Sequence, residues 1–144
     1  MIILLAIIGT VISMAVGMLW YSLRTPMGRI QMKAINPNVS LEEHMKQMDD
    51  MKPHMWKYLL AQAFLALLTS LFIAFIMIEQ KGLGSRVIYG EVSLAWLCFT
   101  VPIVGQSILW GNCPKGLRWK KFFSDILSNL LTYFLIVLVF SFIV

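Results

Sequence analysis

MIILLAIIGTVISMAVGMLWY, residues 1–21, runs for twenty-one positions without a charged side chain. A helix crosses the ~30 Å hydrocarbon slab of a bilayer with about 20 apolar residues, and a core helix of a soluble protein rarely holds more than ~14 in unbroken sequence. Residues 56–78, 87–110 and 122–144 are two or three residues longer and show the same near absence of charge. Hydrocarbon is therefore the expected solvent for most of the chain. The four stretches predict an all-α integral membrane protein, a four-helix transmembrane bundle forming one domain over residues 1–144. A cytoplasmic amphipathic helical segment, residues 23–55, is expected between the first two spans.

Composition agrees, with 59% hydrophobic and 13% charged residues, a balance foreign to soluble domains. No Lys or Arg precedes the first apolar run, and no small-x-small pattern follows Tyr21. The opening stretch is thus expected to be a span and not a cleaved signal peptide.

The net charge of +5 would point to nucleic acid in a soluble protein, but beside a membrane its meaning depends on position. Arg24, Arg29, Lys33, Lys46 and Lys52, with Lys57 at the border, separate spans one and two. Lys115, Arg118, Lys120 and Lys121 separate spans three and four. Together these are ten of the twelve cations, and Lys81 and Arg86 lie between spans two and three. The positive-inside tendency puts the ten-cation loops in the cytoplasm and both termini outside. The loop from Lys115 to Lys121 interleaves cations with Leu117 and Trp119. Its plain partner is a surface of anionic lipid head groups, near one kcal/mol per cation, and no nucleic acid is expected.

Within span one, Gly9, Ser13 and Gly17 recur at steps of four and stack on one helix face. Such a stripe permits close backbone approach, a usual source of helix association in lipid, either inside one subunit or between two. Trp20, Tyr21, Trp56, Trp110 and Trp119 stand at span ends as interfacial anchors. Pro102, followed by Gly105, frees the carbonyl of Cys98 and predicts a kink in span three. A tight turn at residues 81–85 predicts that spans two and three form an antiparallel hairpin.

Between spans one and two, Thr25-Pro26 reads as an N-cap and helix-start proline, predicting a short interfacial helix through Ile35. After the break at Asn36-Pro37-Asn38, Ser40-Leu41-Glu42-Glu43 matches a capping box. A second helix is expected from Leu41 to about Lys52, ended by Pro53. Leu41, Met45 and Met48 form its apolar stripe, as in a helix lying on a membrane surface.

Certain residues carry a resemblance. Gly17-Met18-Leu19-Trp20-Tyr21-Ser22 closes the first span, and Met27-Gly28 follows. Later come Tyr89-Gly90, Leu94-Ala95-Trp96-Leu97, and Phe123-Ser124-Asp125 opening span four. In these the chain resembles the domain-of-unknown-function-1761 family of small bacterial membrane proteins. The family typically continues Trp-Tyr-Ser with a proline and a Phe-Gly pair. Here the proline is displaced to Pro26, and Met27-Gly28 replaces Phe-Gly one residue late. The resemblance implies a four-span fold and a bacterial envelope, hence the inner membrane. It implies no known activity and supplies no catalytic residue.

Ionisable groups within a span are default functional suspects, and Glu91 and Asp125 are two. Each is read as lying in the first turn of its helix, favoured by the helix dipole at roughly 0.3–1 kcal/mol, with Arg86 and Lys121 near by. Gln62, Gln106, Asp125 and Asn129 all fall in the cytoplasmic half of the bilayer, with Ser128 and Thr132 extending the face of span four. These are expected to turn inward, as glue fixing helix register or as a small polar pocket open to the cytoplasm.

His44, Met48 and His54 are soft ligands suited to Cu(I), although Pro53 separates His54 from the helix and methionine is equally a filler. Both cysteines read as free thiols, Cys98 a packing residue and Cys113 a candidate for reaction or lipid modification. No Ser-His-Asp set, phosphate loop or cysteine cluster is present. No cofactor and no enzymatic activity are expected. The function expected is that of a homo-oligomer or accessory subunit of a membrane complex. The alternative is a small oligomeric transporter or channel built on the polar pocket.

Overall fold

The computed structural model describes residues 1–51, 55–80, 85–111 and 113–144. It is all-helical: α1 (Ile2–Trp20), α2 (Pro26–Ile35), α3 (Leu41–Met51), α4 (Met55–Glu79), α5 (Ser85–Ala95), a π turn (Trp96–Thr100), α6 (Val101–Trp110), a 3-10 turn (Lys115–Leu117) and α7 (Arg118–Ser141). Four segments are long and apolar enough to cross a membrane: Ile2–Trp20, Met55–Glu79, Arg86–Trp110 and Lys115–Ser141. The protein is a four-span membrane protein in contact with lipid. At ~1.5 Å per residue, α1 is about 28 Å long and just covers the slab, whereas α4 is about 37 Å long and overshoots it.

Antiparallel α1 and α4 make the most extensive pairing, and α7 is the hub, touching α1, α2, α4, α5 and α6. Spans two and three do not pack as a close pair: α5 leans chiefly on α7 and barely meets α4. The tight turn expected between them falls at residues 81–84, outside the described residues, as do Pro53 and the end of the second surface helix.

The dry core sits at the end of the bundle that carries the termini. Leu5, Ile73, Met77, Val92, Ile136 and Phe140 interlock there, almost fully buried. Gly9 permits this closeness, because a Cβ built on it would lie 2.6 Å from Ser70 Oγ and 3.0 Å from Phe140 Cζ. At Gly17 the same test meets nothing within 4 Å. The small-residue stripe therefore packs inside the subunit at its first member and opens into a groove at its last.

Pro102 acts through the π turn. It has no N–H to give the Cys98 carbonyl, and the chain absorbs the defect with one wide turn in which the Val101 N–H reaches the Trp96 carbonyl, a usual form of π-bulge. Cys98 on this turn is exposed and Cys113 is buried, the reverse of the sequence expectation. Cys113 packs with Ala34 and Ile108 under the bundle, so its shielded thiol is poorly placed for modification.

Both cap readings are met in atomic detail. Thr25 Oγ1 accepts from the Gly28 N–H at 3.0 Å. Ser40 N–H donates to Glu43 Oε2 at 3.0 Å while Glu43 N–H donates to Ser40 Oγ at 3.2 Å. Those bonds from Ser40, backbone first, hold the Glu43 carboxyl below the usual carboxylate range. At Gly28 a Cβ would fall 2.7 Å from the Tyr21 carbonyl oxygen and closer still to that of Ser22. Only glycine lets α2 fold back against the end of α1, which lays Met32 and Ala34 into the bundle.

Candidate functional site

At the loop end the helices splay, and the polar residues gather where the dry core stops. A groove of about 640 Å³ opens between α1, α4 and α7. Ser13 and Gly17 form its α1 wall, Gln62 and Thr69 its α4 wall, and Asn129 and Thr132 its α7 wall. Thr132 is buried and donates to the Ser128 carbonyl at 2.8 Å. Asn129 Nδ2 donates to the Asp125 carbonyl at 2.8 Å. Both bonds run back one turn along α7, the usual way a hydroxyl or amide is satisfied inside an apolar helix. Gln62 is exposed and makes no side-chain hydrogen bond among the described residues.

The loop-side wall is a charged network that unites three segments. Tyr21 Oη donates to Asp125 Oδ1 at 2.7 Å. Lys121 Nζ donates to Asp125 Oδ2 at 2.5 Å and to Gln31 Oε1 of α2 at 2.6 Å. One carboxylate thus joins the end of α1 to α7, and the ammonium that neutralises it joins α7 to α2. The two charged side chains are only 18% and 15% exposed. A pair removed from water to this degree needs further partners, and Tyr21 on the carboxylate and Gln31 on the ammonium supply them. Trp20 Nε1 adds a bond of 3.1 Å to Ser124 Oγ, so Trp20 and Tyr21 tie helices together besides standing at a span end.

Two carboxylate readings are corrected. Asp125 is the eighth residue of α7, which begins at Arg118, and Glu91 is the seventh of α5. Both lie beyond the first turn, outside the reach of the helix dipole. Glu91 is instead met by Gln80 Nε2, one residue past the end of α4, at 2.5 Å. The start of α7 also corrects a boundary, since Lys120 and Lys121 are already helical and the fourth span begins in the basic loop.

Of the four polar residues expected to gather, Gln62 and Asn129 face one groove, and Asp125 lies behind its Tyr21 wall. Gln106 is apart: it lines a second groove of about 540 Å³ between α6 and α7. The π turn is tied to α7 by Trp96 Nε1 to the Ile126 carbonyl at 3.0 Å and Thr100 Oγ1 to Tyr133 Oη at 3.2 Å, and Gln106 lines none of the first groove. Gln31 was missed, since a glutamine on a surface helix carries no local sign of a contact ninety residues away. Lys121 was noticed only as the i, i+4 neighbour of Asp125.

Trp56, Trp110 and Trp119 project from the bundle, at 55%, 88% and 69% exposure. Lys57 Nζ stands 5.7 Å from the Trp56 ring centre. Among the candidate metal ligands, His44 is half-buried on α3, while His54 and the Met48 side chain lie outside the described residues.

Neither the curated proteins nor the solved structures contain a match to this chain. A family model does match, that of Protein of unknown function (DUF1761), over residues 4–141. That range takes in every span and both grooves, from Leu4 in α1 to the last residue of α7. The chain belongs to the DUF1761 family.

Proposed function

We propose that this four-span protein is a non-enzymatic subunit of the bacterial cytoplasmic membrane, with loops inside and termini outside, which works by assembly. The groove between α1, α4 and α7 is the assembly face, closed by a second copy of the chain. The observation that carries this is Gln62. It sits roughly 10 Å inside the Met55 end of α4 at 1.5 Å per residue, exposed and without a side-chain partner among the described residues. A bare amide in hydrocarbon is costly, and helices in lipid satisfy such groups across an interface. An amide is both donor and acceptor, so two copies of Gln62 can pair about a two-fold axis. The basic loops rest on anionic head groups on the same leaflet.

The test is the copy number of untagged protein in mild detergent, by native mass spectrometry, with Leu59→Cys cross-linking, one turn from Gln62 in the same groove, in a background lacking Cys98 and Cys113. A dimer that cross-links through position 59 and dissociates on Gln62→Leu is expected. A monomer unaffected by either change overturns the proposal. A stoichiometric foreign protein makes the chain an accessory subunit instead. The hydroxyl- and amide-lined walls of the groove favour a second reading, an oligomeric transporter, which predicts a wet central cavity within the symmetric assembly.

A further inference from the structure

We infer that the groove between α6 and α7 is a binding site for one anionic glycerophospholipid, an acyl chain lying along its walls and the phosphate held by Lys115 and Arg118. The groove of about 540 Å³ has an apolar body formed by Pro102, Gly105, Ile108 and Phe122. Its mouth carries Lys115, Arg118 and Trp119. Gln106 interrupts those walls with a neutral amide, and largely apolar walls with cations at one end only are the complement of an amphiphile, not of a soluble anion.

Three features of the mouth suit a phosphate. Arg118 spends its Nε–H on the Cys113 carbonyl at 3.0 Å, which fixes the guanidinium plane and leaves the terminal amino groups to donate. The nearby carboxylate, Asp125, is already taken by Lys121, and among the described residues no carboxylate bridges to Lys115 or Arg118. Trp119 is 69% exposed beside them, at the level where indole rings sit among head groups. At Gly105 a Cβ would stand in ordinary contact, 3.5 Å from Phe122 Cε2, so a side chain larger than alanine would fill the body. Pro102, in the first turn of α6 just past the π turn, lines the groove itself. Two unneutralised cations prefer a head group of net negative charge over a zwitterionic one, as basic pockets between spans do. The inference deepens the reading that the basic loops touch anionic head groups, and rests on it.

The experiment is native mass spectrometry of delipidated protein given dioleoylphosphatidylglycerol, dioleoylphosphatidylethanolamine, or inorganic phosphate. One tightly held phosphatidylglycerol is expected, preferred over the zwitterionic lipid by about thirtyfold if each of two cations contributes its usual surface strength. Phosphate alone is expected to leave no adduct. Lys115→Gln with Arg118→Gln should erase the preference. Gly105→Leu, which fills the body and keeps both charges, should lower phosphatidylglycerol retention at least tenfold in protein of unchanged melting temperature. Arg86→Gln, a cation at the other end of the bundle and outside the groove, should change neither. Equal retention of the two lipids overturns both this site and the head-group reading beneath it. Phosphatidylglycerol retention that survives Gly105→Leu, or a preference that falls equally with Arg86→Gln, overturns the site alone. An adduct with inorganic phosphate that matches the lipid's affinity overturns the acyl-chain part and with it the proposal.

Discussion

Gly9→Ala isolates the packing that closes the bundle. The new methyl would meet Ser70 Oγ at 2.6 Å, Ser70 Cβ at 2.8 Å and Phe140 Cζ at 3.0 Å. Ser70 Cβ is fixed to the α4 backbone, and Ser70 and Phe140 are both fully buried, so neither can swing into lipid. Overpacking of this kind costs about 1–3 kcal/mol, set against a gain of up to ~1 kcal/mol from replacing glycine inside a helix. The net expectation is a loss of about 1 kcal/mol or more, read as a shift in the SDS fraction that unfolds the protein in mixed micelles. Ser70→Gly removes the two shortest of the three clashes. The double variant should therefore recover most of the loss, giving a coupling of at least about 0.5 kcal/mol for residues in contact. Gly17→Ala is the control on the same stripe, since nothing stands within 4 Å of its Cβ, and it should be neutral or stabilising. If Gly9→Ala is as benign as Gly17→Ala, or if the two losses at Gly9 and Ser70 simply add, the split of the stripe into a packed half and an open half is refuted.

Asp125→Asn leaves the Lys121 ammonium without its counter-charge in a setting only 18% exposed, and should cost about 3 kcal/mol. Lys121→Met combined with Asp125→Leu should restore most of that in the same unfolding titration. Tyr21→Phe removes one hydrogen bond to a charged acceptor and should cost about 1.5–3 kcal/mol. At Gly28, alanine would force the α1–α2 corner open against the Tyr21 and Ser22 carbonyls, and protease cleavage between residues 22 and 36 should rise sharply while the spans stay folded. The Glu43 carboxyl is held low by Ser40, so its cap supports α3 above the ordinary glutamate pKa of about 4.3 and is lost as pH falls through the lowered folded value. Carboxyl NMR titration should show Glu43 below the ordinary glutamate value, and Ser40→Ala, which removes the hydroxyl but keeps the backbone N–H, should raise it only part of the way back.

The four spans and both helix caps between the first two were legible because they rest on local rules: apolar length for the spans, and Ser40 with Glu43 or Thr25 with Pro26 for the caps. The partners of those elements were not. Spans two and three are adjacent in sequence, yet α7 collects the third span, because Tyr89 of α5 stands edge-on to Phe134 while Trp96 and Thr100 of the π turn reach Ile126 and Tyr133. Depth within a helix failed for a related reason. Placing Asp125 in a first turn assumed that α7 begins where charge ends, but Lys120 and Lys121 have aliphatic stems and good helix propensity, and the helix starts at Arg118. The cysteines were reversed because a span residue was taken to face inward and a loop residue outward. The π turn carries Cys98 outward, and α2 roofs over Cys113.

The two ends of the bundle obey different physics. At the terminal end, Leu5, Ile73 and Phe140 interdigitate without a polar group except Ser70, and a dry jigsaw of this kind has one arrangement. At the loop end the helices are joined at points, by Trp20 to Ser124, Tyr21 to Asp125 and Lys121 to Gln31. A neutral tie such as Trp20 to Ser124 is worth roughly half a kcal/mol, because each group can find another partner when the helices part, while the charged ties at Asp125 and Lys121 need a replacement partner of the same strength. Polar ties can thus be exchanged for bonds to a second copy or a ligand when that partner supplies them, whereas the apolar end cannot open without losing its contacts outright. Binding at either groove should therefore shift the loop end and leave the terminal end still, so amides of Ile73–Met77 and Ile136–Phe140 should exchange with solvent slowest, whether or not the grooves are filled.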